Sequence, residues 1–145
     1  MGKSRQIFYG LVFAIAPTIL LFVSGAIIFD YLYNREAESL KGQYIEPCII
    51  PEGCPKEPGI MPAVISMAIA AVLVVLSVVI LMRLVKTTWI KALVTGLMCV
   101  VFGVVVIAGF VGLNQSIDGN KLIPIMIAVI YLGYGSIISL NLRKK

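Results

Sequence analysis

The chain has 145 residues, 60% of them hydrophobic and only 13% charged, with a mean hydropathy of +1.03. A soluble domain has about a quarter of its residues charged, so this composition belongs to a membrane protein. The net charge of +5 does not signal nucleic acid, because the bases are few and fall at the edges of long apolar runs.

A span needs about 20 mainly apolar residues to cross roughly 30 Å of hydrocarbon. Four stretches meet that length: about 7–33, 60–82, 89–113 and 122–140. The sequence therefore predicts an all-α membrane protein, residues 1–145 forming a single transmembrane domain of four helices in an antiparallel bundle. Lys3, Arg5, Arg83, Lys86, Lys91, Arg143, Lys144 and Lys145 lie before span one, between spans two and three or at the start of span three, or after span four. All seven acids fall toward the opposite side, Asp30 near the outer end of span one and the rest in the segments between spans one and two and between spans three and four. Since short cytoplasmic loops are rich in Lys and Arg, both termini are expected in the cytoplasm of a cell-membrane protein, with an outer loop at 34–59.

Span one opens with Lys3 and Arg5 and passes Ser24-Gly25-Ala26, a pattern that also suits a cleavable signal peptide. Its apolar run continues through Phe29, longer than the usual leader core, which favours an uncleaved span. Pro17 withdraws one backbone donor near the middle and predicts a kink. Gly10 and Ala14, with Pro17 and Gly25, mark a face for close helix approach. Phe29, Tyr31 and Tyr33 make an aromatic belt, and Asp30 reads as a solvated end charge.

The outer loop begins with good helix formers from Asn34 to Lys41, and Gly42 is the expected stop. Span one is thus expected to protrude by about two turns, since an α-helix turn takes 3.6 residues. Pro47, Pro51, Pro55 and Pro58 then exclude regular helix and interior strand. Cys48 and Cys54 stand among them, and in an oxidising outer compartment they are expected to form a disulfide, contributing about 2 to 3 kcal/mol through chain entropy. The acids and aromatics of this loop, notably Glu36, Glu38, Tyr44 and Glu52, make it the expected recognition surface.

Span two carries Pro62 in its first turn, where a missing amide hydrogen is tolerated. The link Arg83 to Thr88 is so short that spans two and three must be antiparallel neighbours. Thr87 or Thr88 is expected to cap span three, and Trp89 to anchor it at the interface. Gly96, Cys99 and Gly103, in line with Ala92, give span three a small-residue packing face, and Ala108 to Gly112 repeats the spacing. Asn114-Gln115-Ser116 matches a glycosylation sequon but lies close to the membrane. Span four starts near Pro124. Its face Tyr131, Gly135, Ser139 is expected to turn toward protein, because a buried tyrosine hydroxyl needs a partner.

The chain has no histidine, and no carboxylate lies deep within a span. The usual general base, imidazole metal sites and a paired-acid site are therefore not provided for. No catalytic residue, cofactor or metal ligand set is expected. The leading reading is a non-catalytic integral membrane subunit, packed against other membrane subunits or a second copy of itself in contact with lipid, presenting the stapled loop. An alternative is a small oligomeric channel or transporter, with Tyr131, Tyr134, Ser136 and Ser139 along a polar path and Pro17 as a flexible point. A third reading is outer-face copper handling by Cys48, Cys54 and Met61, soft ligands suited to Cu(I).

Overall fold

A computed structural model of the chain describes residues 2–45, 54–114 and 119–142. Four long helices dominate: α1 (Lys3–Ser39), α2 (Met61–Leu84), α3 (Trp89–Leu113) and α4 (Gly119–Asn141). Each is long and apolar enough to cross a membrane, the mark of a multi-pass membrane protein. Between α1 and α2 a two-residue antiparallel bridge pairs β1 (Tyr44–Ile45) with β2 (Cys54–Pro55), in the register Tyr44↔Pro55 and Ile45↔Cys54.

The helices form a ring in chain order, α1 packing on α2 and α4, and α3 packing on α2 and α4. Contacts between neighbours fix the directions. Gly25 of α1 faces Ala70 of α2 while Glu36 faces Gly59, so those two helices are antiparallel. Gly96 of α3 packs on Val75, and the short turn at 85–88 reverses the chain. Met98 lies at the level of Asn141, and Gly103 at that of Tyr134. The bundle is accordingly up-down-up-down. Its basic end carries Lys3, Arg5, Arg83, Lys86 and Lys91, with no acid among the described residues, and its loop end carries Asp30, Glu36, Glu38 and Glu57.

At 37 residues α1 is the longest helix, about 55 Å at 1.5 Å per residue, against roughly 30 Å of hydrocarbon. The helix formers after Tyr33 continue it to Ser39, so the first six residues of the expected 34–59 loop are helical. It stops where Leu40 donates to Glu36 and Ala37 and where Gly42 takes φ +82°, a left-handed conformation that glycine adopts without penalty. α4 starts at Gly119, three residues before the expected bound, which places Pro124 in its second turn.

Outside and inside are equally apolar, because the surrounding solvent is lipid rather than water. Buried side chains instead follow helical spacing and shape. Along α1 they are Gly10, Phe13, Ala14, Pro17, Thr18 and Leu21, steps of three and four that hold one face. The centre is filled by Tyr134, Met82, Ile130, Ile138, Val74 and Val78, all fully buried.

Candidate functional site

The two ends and the interior offer three places where side chains with chemistry meet. In the interior, α1 and α4 approach each other closely. A methyl group on Gly10 would lie 2.5 Å from the Gly135 carbonyl oxygen and 2.8 Å from Ser139 Cβ, so only hydrogen fits. Gly135 in turn faces Leu11, and a methyl there would meet the flexible Leu11 Cδ2 at 3.0 Å. One turn away, the Tyr131 hydroxyl donates to the Leu11 carbonyl at 3.0 Å. Gly10, Tyr131, Gly135 and Ser139 thus form one seam, with Ala14 fully buried just beyond it.

The α3 seam uses Gly96, whose missing side chain admits Val75 of α2, and Gly103, whose missing side chain admits the Tyr134 ring tip of α4. A methyl on Gly103 would stand 2.6 Å from the Tyr134 hydroxyl. Phe102 lies edge-on to Tyr134, their centroids 6.4 Å apart, and its ring occupies the space a side chain at Gly133 would need. Cys99 is buried on the same face of α3 as a free thiol.

The buried hydroxyls divide into two kinds. Thr18 donates to Ala14 O at 2.6 Å, Thr95 to Lys91 O at 2.7 Å and Ser66 to Ala63 O at 2.9 Å; Ser24 bonds back to Leu20 O. Each is satisfied within its own helix. Tyr134 Oη, by contrast, has no hydrogen-bond partner among the described residues. The four hydroxyls proposed above for a polar path do not share a face: Tyr134 is enclosed, Tyr131 and Ser139 turn to α1, and Ser136 is exposed and bonds to Leu132 O.

At the basic end, the turn after α2 has the bonds of a Schellman cap, Lys86 N to Arg83 O and Thr87 N to Met82 O. The position that favours glycine in this motif holds Lys86 at φ +56°. Thr88 sits at the N-cap of α3 but makes no side-chain cap bond, while the Thr87 hydroxyl bonds to Met82 O at 2.6 Å, closing α2 instead. Arg83 lies 5.3 Å over the Trp89 ring and also donates to Thr87 O, a cation–π contact that sets the tryptophan at the end of its helix.

At the loop end, Glu36 Oε1 accepts from the Gly59 amide at 3.2 Å, tying the projecting part of α1 to the start of α2. Beside this tie α1 and α2 enclose an open cleft of about 260 Å³. Glu38 is exposed. Tyr44 belongs to β1, whose pairing with β2 sets Ile45 opposite Cys54. Cys54 stands on β2; Cys48, Glu52 and the basic cap at 143–145 lie outside the described residues. Met61 is exposed at the first turn of α2. Among the described residues no three His, Cys, Asp or Glu side chains converge as a metal ligand set.

The chain matches no protein-family model, no curated protein and no solved structure.

Proposed function

We propose that the chain is a non-catalytic integral membrane subunit that packs into a larger membrane complex through its helices and presents the 34–59 loop outward. The observation that supports this most is the far side of α3. Gly10, Gly96, Gly103, Gly133 and Gly135 each face atoms of another helix at contact distance, whereas side chains at Gly109 and Gly112 would meet nothing within 4 Å. Gly112 shares a stripe with Val101, Val105 and Ala108, at steps of four, three and four, and all of them are exposed. Glycine lowers helix stability by about 1 kcal/mol relative to alanine, and in membrane helices small residues are enriched where a second helix approaches closely. The unfilled stripe is the shape such a neighbour would use.

In this reading the basic end faces the cytoplasm of a cell membrane, as the distribution of Lys and Arg supports. The antiparallel pairing of Ile45 with Cys54 closes the base of the loop, and a Cys48–Cys54 disulfide would hold its tip. Purification from native membranes in mild detergent tests the proposal. Stoichiometric membrane proteins should accompany the wild-type chain, and Cys54→Ser should insert normally but retain less of them. A monodisperse monomer with no companion would overturn the reading.

A further inference from the structure

The cleft at the loop end has the profile of an amphiphile. Its floor is apolar, built by Leu32 of α1 and by Met61 and Ile65 of α2, and its rim carries Arg35 and Glu36. Tyr31 and Tyr33, both exposed, belong to the aromatic belt just below. Tyrosines at such belts sit at headgroup level, and Arg35 is one helical turn beyond Tyr31, about 6 Å along the axis. The guanidinium therefore stands where lipid phosphates lie. Among the described residues the Arg35 side chain makes neither an ion pair nor a hydrogen bond. Glu36 uses Oε1 for the Gly59 amide, and a carboxylate has a second oxygen with its own acceptor sites.

We propose that this cleft binds one phospholipid with a zwitterionic phosphoethanolamine-type headgroup. The phosphate lies on Arg35, the ammonium on the Glu36 carboxylate, and an acyl chain follows the Leu32, Met61 and Ile65 floor into the membrane. Charge decides between headgroups. The described residues at this end hold Asp30, Glu36, Glu38 and Glu57 against Arg35, Lys41, Lys56 and Lys121, so no net positive field draws an anionic lipid. A guanidinium matches phosphate geometry with paired donors, and the adjacent carboxylate repels a headgroup that offers only negative charge. This site does not rest on the subunit reading, because its lining comes wholly from one chain.

Native mass spectrometry of the full chain in detergent, titrated with phosphoethanolamine, phosphocholine or phosphoglycerol lipids of matched acyl chains, tests the assignment. The phosphoethanolamine lipid should be retained at least fivefold better than the phosphoglycerol lipid. Arg35→Ala should abolish that preference together with most retention, and Arg35→Lys should recover part of it. Glu36→Gln, which keeps an acceptor for the Gly59 amide, should bring the two lipids to near parity. Competition by inorganic phosphate at millimolar concentration should not displace the bound lipid. Equal retention of both lipids by the wild type, full retention by Arg35→Ala, or displacement by phosphate alone would each overturn the proposal.

Discussion

The sharpest energetic prediction concerns Tyr134 and Gly103. The tyrosine is fully buried and its hydroxyl has no partner among the described residues. An unsatisfied buried polar group costs about 1–3 kcal/mol, so Tyr134→Phe is expected to stabilise the bundle by an amount in that range. Gly103→Ala places a methyl 2.6 Å from the hydroxyl oxygen, and the ring cannot withdraw because it is enclosed and held edge-on by Phe102. Overpacking of this kind costs about 1–3 kcal/mol. With phenylalanine at 134 the nearest remaining atoms would be Leu21 Cδ2 at 3.5 Å and the ring Cζ at 3.6 Å, ordinary contact distances. The alanine should then be neutral, or favourable by up to about 1 kcal/mol through helix propensity. A double-mutant cycle by reversible unfolding in mixed micelles should give a coupling of about 2 kcal/mol. If Tyr134→Phe is destabilising by more than about 1 kcal/mol, the hydroxyl has a partner. A coupling near zero would refute the contact itself.

Other substitutions probe the remaining seams. Gly10→Ala drives a methyl into the Gly135 backbone, which cannot move aside, and should lower stability by about 3 kcal/mol. Gly135→Ala meets only the tip of Leu11 and should lower it by less; the reverse order in thermal unfolding would contradict the seam. Tyr131→Phe removes one interhelical bond and should reduce stability by about 1 kcal/mol, read in the same unfolding assay. Lys86→Gly relieves a left-handed residue, worth about 1–2 kcal/mol, and loosens the unfolded chain by about 0.4–1 kcal/mol. The net should be a small gain in midpoint, and a loss would show that the Lys86 side chain contributes to the turn.

The four spans are legible in the sequence because the need for about 20 apolar residues per crossing leaves little freedom in a chain this hydrophobic. The continuation of α1 to Ser39 can also be read, from the helix formers after Tyr33 and from Gly42. Which of the two small-residue runs of α3 packs within the bundle cannot. Gly103 and Gly112 stand in the same helix with similar neighbours, and lipid is as apolar as the bundle interior, so no polar face separates them. Their difference rests on the register of α4, which brings Tyr134 to Gly103 and leaves Gly112 open. The tie between Glu36 and Gly59 spans 23 residues and follows from how α1 and α2 pack, a relation no local spacing encodes. Lys86 gives no signal either, since the left-handed cap position usually announces itself as glycine or asparagine.

The subunit reading is tested most directly by photo-crosslinking in native membranes, with a photoreactive side chain placed at position 112 and, as a control, at Val72. Val72 is equally lipid-facing, 58% exposed on α2, but lies outside any small-residue stripe. The account predicts a discrete protein adduct from position 112 and only lipid adducts from position 72. Lipid adducts alone from both positions would contradict it.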